Sequence, residues 1–108
     1  MPATAVTAGL PSVPLDVLDF ALKRRSADHI RTVLEVAREA FPEATLRLYL
    51  EADPELADES RIIVEADVSD WTAERMGEAD DAYHQQIGRA LRPQDYVGIF
   101  CLRLGAGR

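Results

Sequence analysis

Apolar residues recur at helical spacing in the N-terminal part of the chain. The first group of apolar residues follows Pro14, and Leu15, Leu18 and Leu22 share one helical face. The second group lies in 27–41 and forms an apolar stripe of Ile30, Val33, Leu34, Ala37 and Phe41. Because Ser26 is a candidate N-cap between the groups, we predict two helices. One continuous helix over 15–41 stays an alternative.

Two later segments alternate between apolar and polar residues, which is the period of a half-buried strand. The apolar positions of 44–52 are Leu46, Leu48 and Leu50. Those of 61–68 are Ile62, Val64, Ala66 and Val68. The connection 53–59 is short and acidic, so we predict a hairpin with Tyr49 and Ile63 on its outward face.

A third helix is predicted over 71–91, capped by Asp70 or Ser69 and ended by Arg92-Pro93. One of its faces is acidic and consists of Asp70, Glu74, Glu78 and Asp81. The opposite face consists of Thr72, Met76, Ala79, Tyr83, Ile87 and Ala90. This separation predicts a helix that packs on one side and is solvated on the other.

The last predicted strand, 96–104, is apolar on both faces. The element order α-α-β-β-α-β predicts an α+β fold, a two-layer sandwich over 14–104. Its sheet would be three-stranded and mainly antiparallel, with the second and third helices on one face. Residues 1–13 are predicted to be a flexible arm, a candidate for an additional strand, and 105–108 a loose tail.

The last strand would form an edge of this sheet, because only two other strands are predicted. An edge that is apolar on both faces tends to pair with another chain. The arm, the first helix and a second copy of the chain are the candidates to cover it. We expect a homodimer paired through this edge, at Val97, Ile99 and Cys101.

The charge of the chain is concentrated in its middle. Residues 51–81 hold twelve Asp or Glu against two Arg, whereas 82–108 have a net charge of +3 and the whole chain −7. Such a distribution disfavours nucleic acid and favours a basic protein partner. We expect the acidic residues of the third helix, Asp70, Glu74, Glu78 and Asp81, to bind that partner.

Few residues offer catalytic chemistry. Asp80 and His84 are four residues apart on the third helix, so they can touch as a base and its orienting group, or simply as a surface pair. Cys101, the single cysteine, lies among apolar residues and is interpreted as an inert core residue. His29 borders the stripe of the second helix and is interpreted as a packing residue.

Several motifs are absent. The chain has no Gly-rich phosphate loop, no Cys-x-x-Cys and no His-Glu-x-x-His, and its acidic loop lacks the EF-hand pattern. We therefore expect no metal and no cofactor. The N-terminus lacks the features of a signal peptide and no segment is apolar enough to span a membrane, so a cytoplasmic location is expected.

Three functional hypotheses follow. The layout and charge resemble those of small bacterial proteins, some of which are the acidic partner of a toxin. The first hypothesis is therefore a non-enzymatic module, antitoxin- or immunity-like, that presents an acidic surface to a basic protein. The second is a homodimeric α+β domain that binds a small ligand at its interface. The third is a small enzyme that uses Asp80 and His84.

Overall fold

The computed structural model describes residues 10–52 and 60–105. Its helices are α1 (Leu15–Lys23), α2 (Ala27–Ala40), α3 (Ala73–Ala90) and the short α4 (Pro93–Tyr96). Its strands are β1 (Leu46–Glu51), β2 (Arg61–Asp67) and β3 (Phe100–Gly105). The predicted α+β class and element order are confirmed, with α4 inserted before the last strand. The acidic loop 53–59, residues 1–9 of the arm and 106–108 of the tail lie outside the described residues.

The sheet has three strands in the order β1-β2-β3, and it is mixed where a mainly antiparallel sheet was predicted, because one of its two strand pairs is parallel. β1 and β2 form the predicted hairpin, in which Leu48 faces Val64 across an antiparallel pair. β3 runs parallel to β2, with Leu102 beside Val64. The parallel pair follows from the connection, because a crossover through α3 returns the chain to the end of the sheet at which β2 begins. β2 is therefore the central strand, and β1 and β3 are its two neighbours.

The helical conformation is interrupted between α1 and α2, which confirms the prediction of two helices. Arg25 has a left-handed φ of 58°. Ser26 occupies the N-cap position of α2, but its hydroxyl donates to the carbonyl of Arg24 at 3.2 Å instead of capping α2. The serine is buried, and it stabilises the turn between the helices.

α1 buries a different face from the one that its leucines define. Val17 and Ala21 are fully buried, whereas Leu15 is 83% exposed and Leu22 is 60% exposed. α1 is apolar around most of its circumference, so periodicity alone does not select the buried side. The fold places the smaller residues inward and leaves the leucines at the surface.

One hydrophobic core combines residues of the helices with alternate residues of the sheet. α2 contributes its predicted stripe, namely Ile30, Val33, Leu34 and Ala37, followed by Phe41. α3 contributes Ala79, Tyr83 and Ile87. The hairpin contributes Leu46, Leu48, Ile62, Val64 and Ala66. α2 and α3 also contact each other; that both cover one face of the sheet stays a prediction.

The C-terminus of α2 is joined to β1 through Arg38. Its guanidinium donates to the carbonyls of Phe41 at 3.2 Å, Pro42 at 2.6 Å and Ala44 at 2.6 Å. Partial burial lowers the pKa of Arg38 from its usual value. One cation therefore binds three carbonyls at the end of the helix, of which that of Phe41 also accepts the N–H of Ala44 at 3.2 Å.

α3 begins at Ala73, later than predicted, and neither Ser69 nor Asp70 caps it. The cap is Thr72, whose hydroxyl accepts the N–H of Arg75 at 3.1 Å. The residues before it form a turn, in which the N–H of Ser69 donates to the carboxylate of Asp67 at 3.1 Å. The turn occupies the positions that the sequence pattern had assigned to the cap.

The last strand also begins later than predicted. β3 starts at Phe100, because 93–96 form the helical turn α4 and Gly98 follows with a φ of 81°, which glycine adopts without strain. Val97 and Ile99 therefore precede the strand. The carbonyl of Ile99 still accepts the N–H of Ile62 at 2.7 Å, so the hydrogen bonds between this segment and β2 begin at Ile99.

One face of the sheet lies outside the hydrophobic core, and we call it the outer sheet face. It comprises Arg47, Tyr49, Glu51, Arg61, Ile63, Glu65, Cys101 and Arg103. Ile63 is only 1% exposed although it is not part of the core cluster. From β3, Arg103 donates to the Tyr49 hydroxyl at 2.9 Å and to Glu51 at 3.0 Å, so its side chain passes over β2. Arg103 thus helps to supply the cover that Ile63 needs within one chain.

Candidate functional site

The four acidic residues predicted to bind a partner lie on the surface at the first half of α3. Three project from the helix, and Asp70 lies in the turn before it. All four are exposed, and none forms an ion pair with a described residue. We call this group, which consists of Asp70, Glu74, Glu78 and Asp81, the acidic face.

The cation nearest to the acidic face in sequence is Arg75, and it points elsewhere. Its guanidinium contacts Glu43 at 3.3 Å and lies 3.7 Å above the ring of Trp71. Trp71 in turn packs against Phe41. Because these contacts engage Arg75 on another side of the helix, the acidic face keeps its negative charge.

Two glycines lie on the same side of α3 as the acidic face. Gly77 is three residues after Glu74, and Gly88 is seven residues after Asp81. A Cβ at either position would meet no described atom within 4 Å. Glycine inside a helix is destabilising by roughly 0.5–1 kcal/mol relative to alanine, and no close approach within the described chain requires it here. This side of the helix is therefore open to close approach from outside.

Asp80 and His84 are in contact, but they are not buried. The Nδ1 of His84 lies 2.9 Å from the backbone carbonyl of Asp80 and 3.4 Å from its carboxylate. The side chains are 61% exposed for His84 and 43% for Asp80. Since a carbonyl can only accept, Nδ1 carries the proton and Nε2 is left for another partner.

A concave pocket of about 470 Å³ lies beside this pair, between the second half of α3, the turn after α4 and the start of β3. Its lining is partly apolar, with Ile87, Phe100 and Leu102. The polar lining consists of Arg61, Tyr83, His84, Tyr96 and Cys101. The fold thus brings His84 and Cys101, which are seventeen residues apart in the chain, to the same pocket.

Tyr83 is the most deeply buried polar residue of this lining, at 4% exposure. No described residue hydrogen-bonds its hydroxyl, and no buried side-chain oxygen of the described residues lacks a partner. The hydroxyl must therefore keep access to solvent, and the pocket provides it. Burial, together with the proximity of Cys101 and Tyr96, raises the pKa of Tyr83, so the hydroxyl stays protonated.

Arg61 supplies positive charge at the same pocket. It is exposed, and no described residue pairs with its guanidinium. Glu51, which faces Arg61 across the hairpin, is bound instead to Arg103 at 2.9 Å. The cross-strand partner of Arg61 is therefore already engaged.

The residues predicted to form a dimer edge have different environments. Val97 is 64% exposed, whereas Ile99 and Cys101 are half-buried. Of the three, only Cys101 lies in β3, where its thiol donates to the carbonyl of Leu102 at 3.7 Å. β3 has a single neighbouring strand among the described residues, so its other side is an edge.

His29, interpreted from the sequence as a packing residue, contacts α4. Its Nε2 lies 3.7 Å from the carboxylate of Asp95. Partial burial by itself raises the pKa of Asp95, but hydrogen bonds from the side chain and backbone of Arg92, with the charges of Arg92 and His29, outweigh it and lower the pKa. This contact links α2 to α4, and its role is structural.

Among residues 10–52 and 60–105, no group of three or more His, Cys, Asp or Glu is arranged to hold a metal ion. No helix within those ranges combines the length and the apolar character that crossing a membrane requires. Comparison of the chain with protein-family models, with curated proteins and with solved structures finds no match.

Sequence reasoning missed the pocket and two of its residues. The alternation over 61–68 places Arg61 on the polar side of a strand, and the helical period places Tyr83 on the apolar face of α3. One signal was present: a tyrosine on the apolar face of a helix brings a hydroxyl that needs a partner. The turn with Gly98 also contributes to the pocket, but the apolar run over 96–104 conceals the point at which β3 begins.

Proposed function

We propose that this chain is a non-enzymatic protein-binding module that presents the acidic face of α3 to a basic protein partner, as an antitoxin or immunity protein does. The observation that carries the proposal is that three exposed carboxylates on one side of α3, and a fourth in the turn before it, have no ion pair with a described residue. We place the module in the cytoplasm, since its single cysteine allows no internal disulfide.

Unpaired charges of one sign contribute more to association than paired ones. The field of a neutralised pair falls off quickly, whereas that of several like charges extends over about 10 Å at moderate salt. Such a surface increases the rate of encounter with a basic partner and rejects acidic ones. The glycines at 77 and 88 leave the same side of α3 open to close approach.

The proposal is tested with two charge-matched variants. Glu74→Lys with Glu78→Lys reverses the acidic face, and Glu35→Lys with Glu39→Lys makes the same change, at the same spacing, on exposed positions of α2. Proteins that bind the wild type are recovered from the source organism, identified, and their affinities measured from about 50 mM to about 500 mM salt. We expect a basic partner whose affinity falls steeply with salt.

The face variant should bind that partner at least about tenfold more weakly, because like charges then meet. The α2 variant should retain binding, since it changes the net charge equally but leaves the acidic face intact. An equal loss in both variants would contradict a role for this particular face. So would an affinity that does not change with salt.

A second candidate is a homodimer that pairs through the free edge of β3. In a parallel ladder only alternate residues bond to a given neighbour, and the carbonyls of Ile99 and Gly105 bond to the β2 side. The backbone groups of Phe100, Leu102 and Leu104 then face away from the sheet. Leu104 is 36% exposed at this edge, which favours addition of a second strand.

Leu104→Lys is the variant that tests the dimer, with Leu15→Lys as the matched control at the exposed surface of α1. Light scattering should show a dimer for the wild type and for the control, and a monomer for Leu104→Lys. A wild-type monomer at high concentration would exclude the dimer. Loss of the dimer only in the control would assign the interface to α1 instead.

A further inference from the structure

The pocket beside α3 has features of a binding site for a small organic anion, and they are independent of the acidic face. Its volume of about 470 Å³ falls within the range of about 300–1,000 Å³ that small-molecule sites occupy. It is concave, and its walls come from α3, from α4 and the turn after it, from β3 and from the first residue of β2. Apolar and polar groups share the lining, as in sites that hold the body of a ligand and orient one polar end.

The Tyr83 hydroxyl is the observation that points to a ligand. The residue is 4% exposed, so its ring is fixed by the core. Its hydroxyl has no described hydrogen-bond partner and reaches the pocket. Because no buried side-chain oxygen of the described residues lacks a partner, this hydroxyl is itself accessible to water. A ligand in the pocket can accept its hydrogen bond in place of water.

The charges of the residues at the pocket indicate the sign of the ligand's charge. Arg61 is cationic and unpaired by any described residue. His84 does not set this sign, because its Nδ1 donates to the backbone carbonyl of Asp80. The acids near the pocket do not reverse this sign, since Glu51 is bound to Arg103 and Asp80 contacts the far nitrogen of His84.

The apolar wall defines the rest of the ligand. Phe100 and Ile87 belong to the buried core and offer a fixed surface, and Tyr96 adds a half-buried ring. Such a wall packs against an aromatic or aliphatic body. An inorganic anion would leave it unused.

We propose that the pocket between α3, the turn after α4 and β3 binds a small organic anion, with Arg61 pairing the charged group, the Tyr83 hydroxyl donating a hydrogen bond to it and Phe100 packing on the apolar body. Nothing in this arrangement involves the acidic face, so the pocket can be occupied with or without a protein partner. The ligand is an aromatic acid, and its charged group is either a carboxylate or a phosphate monoester.

The test titrates the intact chain with four probes and follows the backbone amide signals by NMR. Phenylacetate and phenyl phosphate carry the two candidate anions on one ring. Phenylacetamide has the shape of phenylacetate without its charge, and inorganic phosphate has the charge without the ring. We expect saturable shifts centred on Tyr83, His84 and Phe100 for one or both ring anions, and at least about tenfold weaker binding of the two controls.

Two variants assign the contacts. Tyr83→Phe removes only the hydroxyl, so the packing of the ring is retained. This variant should weaken binding of the anion about fivefold to tenfold. Arg61→Ala should weaken it about tenfold or more, because a hydrogen bond to a charged group is lost. Arg47→Ala, another exposed arginine of the sheet, is the matched control and should leave the affinity unchanged.

Three results would overturn the proposal. One is the absence of saturable shifts at the pocket for all four probes. A second is binding of phenylacetamide as tight as that of phenylacetate. The third is an affinity that Tyr83→Phe and Arg61→Ala leave unchanged while both variants stay folded by their amide spectra. None of these results bears on the acidic face, whose test uses other residues and another readout.

Discussion

The outer sheet face and the acidic face of α3 are both charged and both at the surface, yet among the described residues only the first carries ion pairs. On the outer sheet face, Arg47 pairs with Glu65 at 3.3 Å and Arg103 pairs with Glu51 at 2.9 Å. These pairs surround Ile63, which is fully buried beneath them. The acidic face forms no such pairs with residues 10–52 and 60–105, the part of the chain that the structure describes.

The difference arises from the geometry of the two elements. Strand pairing sets residues from different parts of the chain side by side, so charges of opposite sign can be chosen independently at each position. Residues four apart on a helix are neighbours from one segment, and on α3 the pair Glu74 and Glu78 has the same sign. The ion pairs of the outer sheet face therefore stabilise the fold, whereas the like charges of the acidic face destabilise it slightly.

The largest expected effect is at Ile63, the centre of the outer sheet face. Ile63→Ala should lower the free energy of unfolding by about 3 kcal/mol, because a fully buried side chain is truncated beneath groups that cannot close the cavity. Urea denaturation measures the loss. Leu15→Ala, at a position that is 83% exposed, should stay within about 0.5 kcal/mol of the wild type. Equal losses in the two variants would mean that the cover over Ile63 does not exist in solution.

A smaller effect concerns pH and Asp67, at the end of β2. Hydrogen bonds from the backbone and side chain of Ser69 lower the pKa of Asp67 in the folded state. The folded pKa therefore lies below the unfolded value of about 3.9, so the stabilisation is complete above about pH 4 and is lost as the pH falls through the folded pKa. In urea denaturation, Asp67→Asn should be less stable than the wild type near neutral pH.

The difference between Asp67→Asn and the wild type should shrink steadily below about pH 4, because the wild-type carboxylate is then protonated as well. Ser69→Ala, which removes only the hydroxyl donor, should show the same trend with a smaller amplitude. A difference that stays constant down to about pH 2 would mean that the hydrogen bonds at Asp67 do not depend on its charge.

The smallest effect has opposite signs on the two faces. Glu65→Gln breaks the pair with Arg47 and should lower the free energy of unfolding by about 0.5 kcal/mol. Glu78→Gln removes a like-charge contact with Glu74 and should raise it by about 0.3 kcal/mol. Both changes should diminish at high salt, since both surfaces are exposed to screening. Two changes of the same sign would remove the distinction between the faces.

Part of the candidate sites could be predicted from the sequence. The acidic residues of α3 lie on the surface because the helical period separates them from the apolar stripe, a local property. The contact between Asp80 and His84 follows from their spacing of four residues in the same way. The pocket could not be predicted, because Arg61, Tyr83 and Phe100 come from three elements whose mutual placement depends on the parallel pairing of β3.

Local patterns in the sequence by themselves determined the number, type and order of the main elements, the buried stripe of α2 and the solvated side of α3. These features arise from periodicity and from the solvation of charge, and both act within a short segment. Only the tertiary structure decided which face α1 buries, how β3 pairs with β2 and what covers Ile63. Those outcomes depend on volumes and contacts between segments far apart in the chain, and the pocket at Tyr83 is a consequence of the same packing.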